Sequence, residues 1–208
     1  MKLTIDDIKG VFLIINKIMH KNKEYLIELD SVMGDGDLGL TMCKGFDLAV
    51  EGIQNYEGKD IGRGLLQAAM SMSNAAGTMG ILLSSAIMSS AKEVKEKKEL
   101  NDWDIVEMGY AAVKGIEKRG KAKVGDKTIL DSLVPGVKTL DKAVTEGKRL
   151  PEAFSDAVEA AQEGVEKTKE MVAQFGRAHY YGEKSRGNQD PGATVALLIF
   201  QAFRDYLN

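Results

Sequence analysis

The sequence predicts an all-α protein, and three observations carry that expectation. Apolar residues recur at alternating three- and four-residue steps along most of the chain, which gathers them on one face of a 3.6-residue helix. Residues suited to helix starts, Thr4, Asn101, Pro151 and Pro191, stand ahead of apolar runs, where a side-chain cap or a fixed φ is tolerated. Long β-branched alternating runs are absent, so no sheet is expected.

Eight helices follow in order. Ile5, Ile8, Phe12, Ile15 and Met19 mark the first, and Thr4 with Asp7 forms a capping-box pattern with Asp in place of the usual Glu or Gln. Residues 40–54 make the second and 61–72 the third. Met79, Leu82, Leu83, Ala86, Ile87 and Val94 define a long fourth helix. Asn101 caps a fifth through Trp103, Val106, Tyr110, Val113 and Ile116. The sixth, over 129–145, carries Leu130, Leu133, Val137, Leu140 and Val144. Pro151 opens the seventh, with Phe154, Val158, Ala161 and Val165, and Pro191 opens the eighth, with Ala193, Ala196, Leu197, Phe200 and Phe203.

The connections alternate in character. Those after the second, fourth and sixth helices (56–59, the Leu100 junction, 147–149) are short and bland, as between antiparallel neighbours. Those after the first, third, fifth and seventh (29–39, 73–77, 119–128, 176–191) hold glycines and unusual residues. In an up-and-down array the odd-numbered connections share one rim, so these four are expected to form one site.

A chain of 208 residues is long enough for one domain with a sizeable core, taken here as 1–208. The net charge of −3 argues against a general nucleic-acid binder. The mixed charges of 92–99 read as the solvated end of a helix. A single cysteine, Cys43, forms no intrachain disulfide, suits a reducing compartment and reads as a buried inert thiol. Residues 1–7 lack a signal-peptide pattern and no apolar run is long enough to span a bilayer. A cytoplasmic location is expected.

The run 29–39, Leu-Asp-Ser-Val-Met-Gly-Asp-Gly-Asp-Leu-Gly, is the most informative stretch. Its glycines allow sharp turns that can bring Asp30, Asp35 and Asp37 together. Carboxylates about 5 Å apart repel by roughly 3 kcal/mol per pair at an effective dielectric near 20. Such a cluster either splays into water or holds a cation, and hard oxygen ligands suit Mg²⁺ or Ca²⁺. The spacing fits neither an EF-hand nor a Walker A loop. On the residues alone, Mg²⁺ binding and a solvated turn both stay open. Small residues at 73–78 before a helix are either an ordinary cap or a phosphate cradle. The basic loop 119–128 is either a solvated surface or a complement to polyphosphate. Arg177, in the longest loop, has a guanidinium fork that suits phosphate. His20 and His179 lack partners at ligand spacing and read as structural or solvated. No Ser-His-Asp or Cys-His arrangement supports covalent catalysis. What remains fits phosphoryl transfer, where positioning and electrostatics dominate.

Together these residues resemble the DhaL family, the nucleotide-binding subunit of dihydroxyacetone kinase. The resemblance rests on Leu29-Asp30, Gly34-Asp35-Gly36-Asp37, Arg119-Gly120-Lys121-Ala122, Gly125-Asp126-Lys127-Thr128, Gly176-Arg177-Ala178, Tyr181-Gly182-Glu183 and Asp190-Pro191-Gly192-Ala193. It implies a barrel of eight antiparallel helices with the nucleotide at one rim. It implies that Asp30, Asp35 and Asp37 hold two Mg²⁺ ions bridging the phosphates of ATP or ADP. Leu38, Gly39, Thr41, Ala76, Gly77, Gly120, Thr128, Ile129, Arg177, Asp190, Pro191 and Gly192 would lie around the nucleotide. The implied partners are a DhaK-like subunit, which binds dihydroxyacetone and is served in trans, and a DhaM-like phosphotransferase-system subunit where ATP is not the donor. Neither nucleic acid nor a membrane is expected as a partner. Against the family pattern, Leu38 replaces a usual histidine, Thr41 an asparagine and His179 a serine, and Ser73-Asn74-Ala75-Ala76-Gly77 replaces Gly-Gly-Ala-Ser-Gly. These departures leave an alternative, a non-catalytic nucleotide-sensing module that regulates a partner.

Overall fold

The computed structural model describes residues 2–75 and 77–208. Among them are nine α-helices: α1 (Ile5–Lys21), α2 (Lys23–Ser31), α3 (Leu38–Gln54), α4 (Ile61–Met72), α5 (Thr78–Glu93), α6 (Asp102–Gly120), α7 (Leu130–Thr145), α8 (Leu150–Lys167) and α9 (Pro191–Leu207). The eight helices expected from periodicity correspond to α1 and α3 to α9.

The additional helix is α2. Its sequence is mostly polar and only Leu26 is buried, so it lacks the apolar stripe that betrays a packed helix. It moves Asp30 out of the expected loop and into the last turn of a helix. The expectation of no sheet also needs correction. Leu3–Thr4 (β1) and Glu99–Leu100 (β2) pair antiparallel, with Leu3 opposite Leu100. Two residues per strand are too few to show alternation in sequence. Both leucines are buried, which anchors the start of α1 beside the start of α6.

Local signals account for the helix starts. Thr4 and Asp7 close a capping box on α1, with the Thr4 N–H donating to Asp7 Oδ2 at 2.7 Å. Asn101 and Asp104 do the same for α6. Asp60 Oδ1 accepts from both Arg63 N–H and Glu96 N–H, capping α4 and tying it to the end of α5. Proline occupies the first turn of α8 and α9, where its missing N–H has no partner to lose.

Each long helix packs on the next, α1 on α3 and then in order through α9, and α9 packs on α1. The succession of neighbours thus returns to its start, with α2 lying outside it against α3 and α9. The apolar faces meet in one core that includes Ile8, Met19, Met42, Ile61, Leu130 and Leu140. Phe154 of α8 stacks on Phe203 of α9 with ring centroids 5.0 Å apart. Close approach is set by glycine: a Cβ at Gly164 of α8 would overlap the Asp131 carbonyl oxygen of α7. That carbonyl has lost its helical donor to Pro135, four residues on. No helix among the described residues is long and apolar enough to cross a membrane.

Candidate functional site

Residues from all four unusual connections line a single cleft of about 640 Å³. Its floor is acidic. One carboxylate oxygen from each of Asp30, Asp35 and Asp37 lies within 4.8 Å of the others. The turn is held by Asp30 itself, whose Oδ2 accepts from Asp37 N–H at 3.0 Å and Leu38 N–H at 3.3 Å. Its carbonyl accepts from Gly34 N–H at 2.6 Å. A Cβ at Gly34 would overlap the Asp30 carboxylate, so the sequence spacing Asp30-x-x-x-Gly34 is set by close packing. Arg177 Nη2 reaches across from the long loop to Asp35 Oδ2 at 2.5 Å. Burial first, then the charges of Asp35 and Asp30, raise the Asp37 carboxyl above its ordinary value, and Arg177 opposes them.

Four helix N-termini open onto this cleft. The residues just before α3, α5, α7 and α9 are Asp37, Gly77, Ile129 and Asp190, and all four line it. The positive ends of four helix dipoles therefore converge there, which favours a bound anion. Gly77 has φ +106°, a conformation open to glycine and strained for other residues. It lies against Thr41, whose side chain would crowd any Cβ at that point. Thus an anion-attracting wall faces a cation-attracting floor.

Two acids brace the rim, Asp131 buried and Asp190 half-buried. Asp131 Oδ1 accepts from Gly125 N–H at 2.5 Å and Oδ2 from Thr128 N–H at 2.7 Å, which pins the loop before α7. Burial raises its carboxyl despite those bonds. Asp190 Oδ2 accepts from Ala193 N–H at 2.7 Å and so caps α9. Part of Asp190 reaches the cleft surface, yet protein crowds its carboxyl, and that burial raises it to about 7.

Of the residues expected at the site, Leu38, Thr41, Gly77, Gly120, Thr128, Ile129, Arg177, Asp190, Pro191 and Gly192 line the cleft with the three acids. Gly39 does not line it: it is buried where α3 crosses α2, and a Cβ there would overlap the Lys23 carbonyl. Ala76 lies outside the described residues. His179 is absent from the lining, and its Nδ1 sits 3.2 Å from the Ala173 carbonyl. His20 pairs with Asp47 at 2.9 Å. Cys43 is buried, and burial raises its thiol. Sequence reasoning missed the apolar wall of Met33, Met79, Leu82 and Phe175. Periodicity assigns Met79 and Leu82 to a core, and nothing in it marks the few core residues that end on a cleft.

A family model for the DAK2 domain matches residues 32–205. This chain belongs to the DAK2 domain family. It is 35% identical over 185 residues to the PEP-dependent dihydroxyacetone kinase, ADP-binding subunit DhaL, of Escherichia coli, covering 88% of each chain. Identity is 34% over 185 residues to the ADP-binding subunit DhaL of PEP-dependent dihydroxyacetone kinase 1 of Listeria innocua, covering 88% of this chain and 87% of that one. The L-erythrulose kinase of Pectobacterium atrosepticum is 31% identical over 194 residues, covering 92% of this chain and 33% of that longer protein. The crystal structure of the dihydroxyacetone kinase of C. freundii superposes with a TM-score of 0.74 at 21% identity, over 95% of this chain and 34% of that one. At that identity the superposition speaks to the fold. The family resemblance carried by the acidic run and the Gly-Arg-Ala and Asp-Pro-Gly turns is therefore met by the comparisons.

Proposed function

We propose that this chain is the Mg-nucleotide-binding, phosphoryl-donating subunit of a dihydroxyacetone kinase. The observation that carries the reading is the pairing, in one cleft, of three convergent carboxylates with four helix N-termini. Few ligands satisfy both at once; a polyphosphate bridged by a divalent cation does. Relatives are named as ADP-binding subunits, and the C. freundii kinase has been crystallised with AMP-PNP and Mg²⁺.

In this reading the closed succession of long helices is an eight-helix antiparallel barrel with the nucleotide at the rim. The donor set fits Mg²⁺: all ligands are hard oxygens, and Asp35 and Asp37 stay open to water, which that ion retains in part. Asp30, Asp35 and Asp37 would hold two such ions, which neutralise charge on the phosphates and the transferring phosphoryl group. Asp30 is pre-set by the Asp37 and Leu38 amides, so the cluster needs little rearrangement. Gly77 and the start of α5 present N–H groups to phosphate, and Arg177 swings from Asp35 toward the same charge. Leu38, Met79, Leu82 and Ile129 offer an apolar wall to the flat base. No general base is assigned on this chain. The ketose would be bound and activated by a DhaK-like subunit, and this subunit would act on it in trans. The donor is ATP or a DhaM-like phosphotransferase-system subunit acting on retained ADP. A cytoplasmic location accords with that chemistry.

A second reading, a non-catalytic nucleotide-sensing module, is favoured by Leu38. It lines the cleft where the family pattern has a histidine, and its side chain donates no hydrogen bond. Two measurements decide. Calorimetry of Mg-ADP binding tests the site: unchanged affinity in both Asp35→Ala and Asp37→Ala variants overturns it. Reconstitution with a DhaK-like subunit, dihydroxyacetone and either donor tests the activity. Ketose phosphorylation at ordinary kinase rates excludes the sensor, and nucleotide binding without transfer supports it.

A further inference from the structure

Lys127 is 3% exposed, a rare place for an ammonium group. Among the described residues no carboxylate pairs with it directly; Asp190 acts on it only through space. Its Nζ instead donates to backbone carbonyls, those of Asn188 at 2.6 Å, Thr168 at 2.8 Å and Ser185 at 2.8 Å, with Met171 further off at 3.4 Å. The three ammonium protons are therefore satisfied by peptide dipoles that replace water. Burial nevertheless lowers the ammonium below its ordinary value. Lys127 also holds φ +60°, which a residue with a Cβ adopts at some strain.

The origin of those carbonyls gives the cage its meaning. Thr168 and Met171 lie on the outgoing limb of the long excursion between α8 and α9, and Ser185 and Asn188 on its return. Between the limbs, 172–184 carries Phe175, Gly176 and Arg177 to the cleft. The returning limb ends at Asp190, whose N–H is bonded to the Thr168 hydroxyl at 2.9 Å. In sequence Lys127 is followed at once by Thr128 and Ile129, which also line the cleft. One ammonium thus joins the base of the Arg177 loop to the start of α7.

We propose that Lys127 is a positioning residue for phosphate binding: its buried ammonium ties the two limbs of the 168–190 excursion together and so holds Arg177 over the acidic cluster and Asp190 at the start of α9. Lys127 borders the cleft, but its Nζ is taken up by backbone carbonyls, so it acts through the loop. The proposal rests on the Mg-nucleotide reading of the cleft. Its signature is that removing the amine weakens nucleotide binding through Arg177, while the metal floor, built from α2 and the start of α3, is unaffected.

The test uses the full chain with Lys127→Met, Lys127→Gln, Arg177→Ala and the Lys127→Met/Arg177→Ala double variant. Mg-ADP affinity is measured by calorimetry, binding of Mn²⁺ alone by spin resonance, and helicity by circular dichroism. Lys127→Met is expected to stay helical, to bind Mn²⁺ no more weakly than wild type, and to lose about thirtyfold in Mg-ADP affinity, as for a charged hydrogen-bond centre removed. Adding Arg177→Ala should then cost less than threefold more, since contacting or coupled residues are not additive. A Lys127→Cys variant in a Cys43→Ala chain, aminoethylated while unfolded and then refolded, regains the amine and should regain affinity to within about threefold of its parent. Lys127→Met that folds and binds Mg-ADP like wild type overturns the proposal, as does full additivity with Arg177→Ala or parallel loss of Mn²⁺ binding. If neither the Met nor the Gln variant folds, Lys127 is a determinant of the fold and the positioning role is overturned. Failure of wild type itself to bind Mg-ADP overturns the site reading, an outcome distinct from all of these.

Discussion

Arg177 Nη2 stands 2.5 Å from Asp35 Oδ2, so the longest loop of the chain is joined to the acidic turn through a guanidinium. The pair is open to solvent, and exposed pairs stabilise a fold by less than about 1 kcal/mol. Its weight therefore falls on binding. Arg177→Ala should leave the melting temperature within a few degrees of wild type and lower Mg-ADP affinity by about tenfold or more. Arg177→Lys should recover only part of it, because an ammonium lacks the planar fork. Calorimetry at fixed ionic strength reads both.

Asp37 lies at the other end of the same balance. Its carboxyl is raised by burial and by the charges of Asp35 and Asp30, so the cluster is destabilising to the chain without a cation. Asp37→Asn removes one charge from it. The variant should melt higher than wild type without Mg²⁺, by about 1 kcal/mol, and lower than wild type in saturating Mg-ADP. Thermal unfolding under the two conditions should show the order reverse, and equal order in both would show that no cation is held there.

The helices that carry apolar stripes were legible in the sequence because burial writes a period into them, and the rim followed from which connections were rich in glycine. Contacts that depend on a third element were not. Gly39 was expected near the nucleotide, yet it serves the crossing of α3 with α2, a helix whose single buried Leu26 leaves no period to read. The cage around Lys127 is made of carbonyls, which every residue carries, so no side-chain pattern announces it. The acidic cluster was legible for the opposite reason: its chemistry lies wholly in side chains that are close in sequence.

Gly164 tests how tightly the scaffold sets the site. A Cβ there would overlap the Asp131 carbonyl, and backbone cannot rotate away as a side chain can. Asp131 in turn holds Gly125 and Thr128 at the cleft rim. Gly164→Ala should cost about 2 kcal/mol of stability, typical of overpacking. It should also weaken Mg-ADP binding although it lies outside the cleft. Gly147→Ala makes a useful contrast, because a Cβ there meets nothing and only its φ of +79° is strained. It should lower stability through the backbone with binding unchanged. Chemical denaturation with parallel calorimetry separates the two.

Asp190 gives the chain a pH dependence of definite sign. Burial lifts its carboxyl from an ordinary 3.8 to about 7 in the fold, so between those values the folded state keeps a proton that the unfolded state has lost. Stability then falls as pH rises. The contribution is fully present below pH 3.8, declines through the interval, and is gone once pH passes about 7. Asp190→Asn retains a carbonyl oxygen to accept from Ala193 N–H and cannot titrate. The difference in unfolding free energy, variant minus wild type, should therefore grow in favour of the variant from pH 5 to pH 7 and level off above it. Urea titrations of both proteins at half-unit steps check this. A difference that stays flat across the interval would show that Asp190 ionises in the fold at its ordinary value, with the charge of Lys127 and the amides at the start of α9 outweighing its burial.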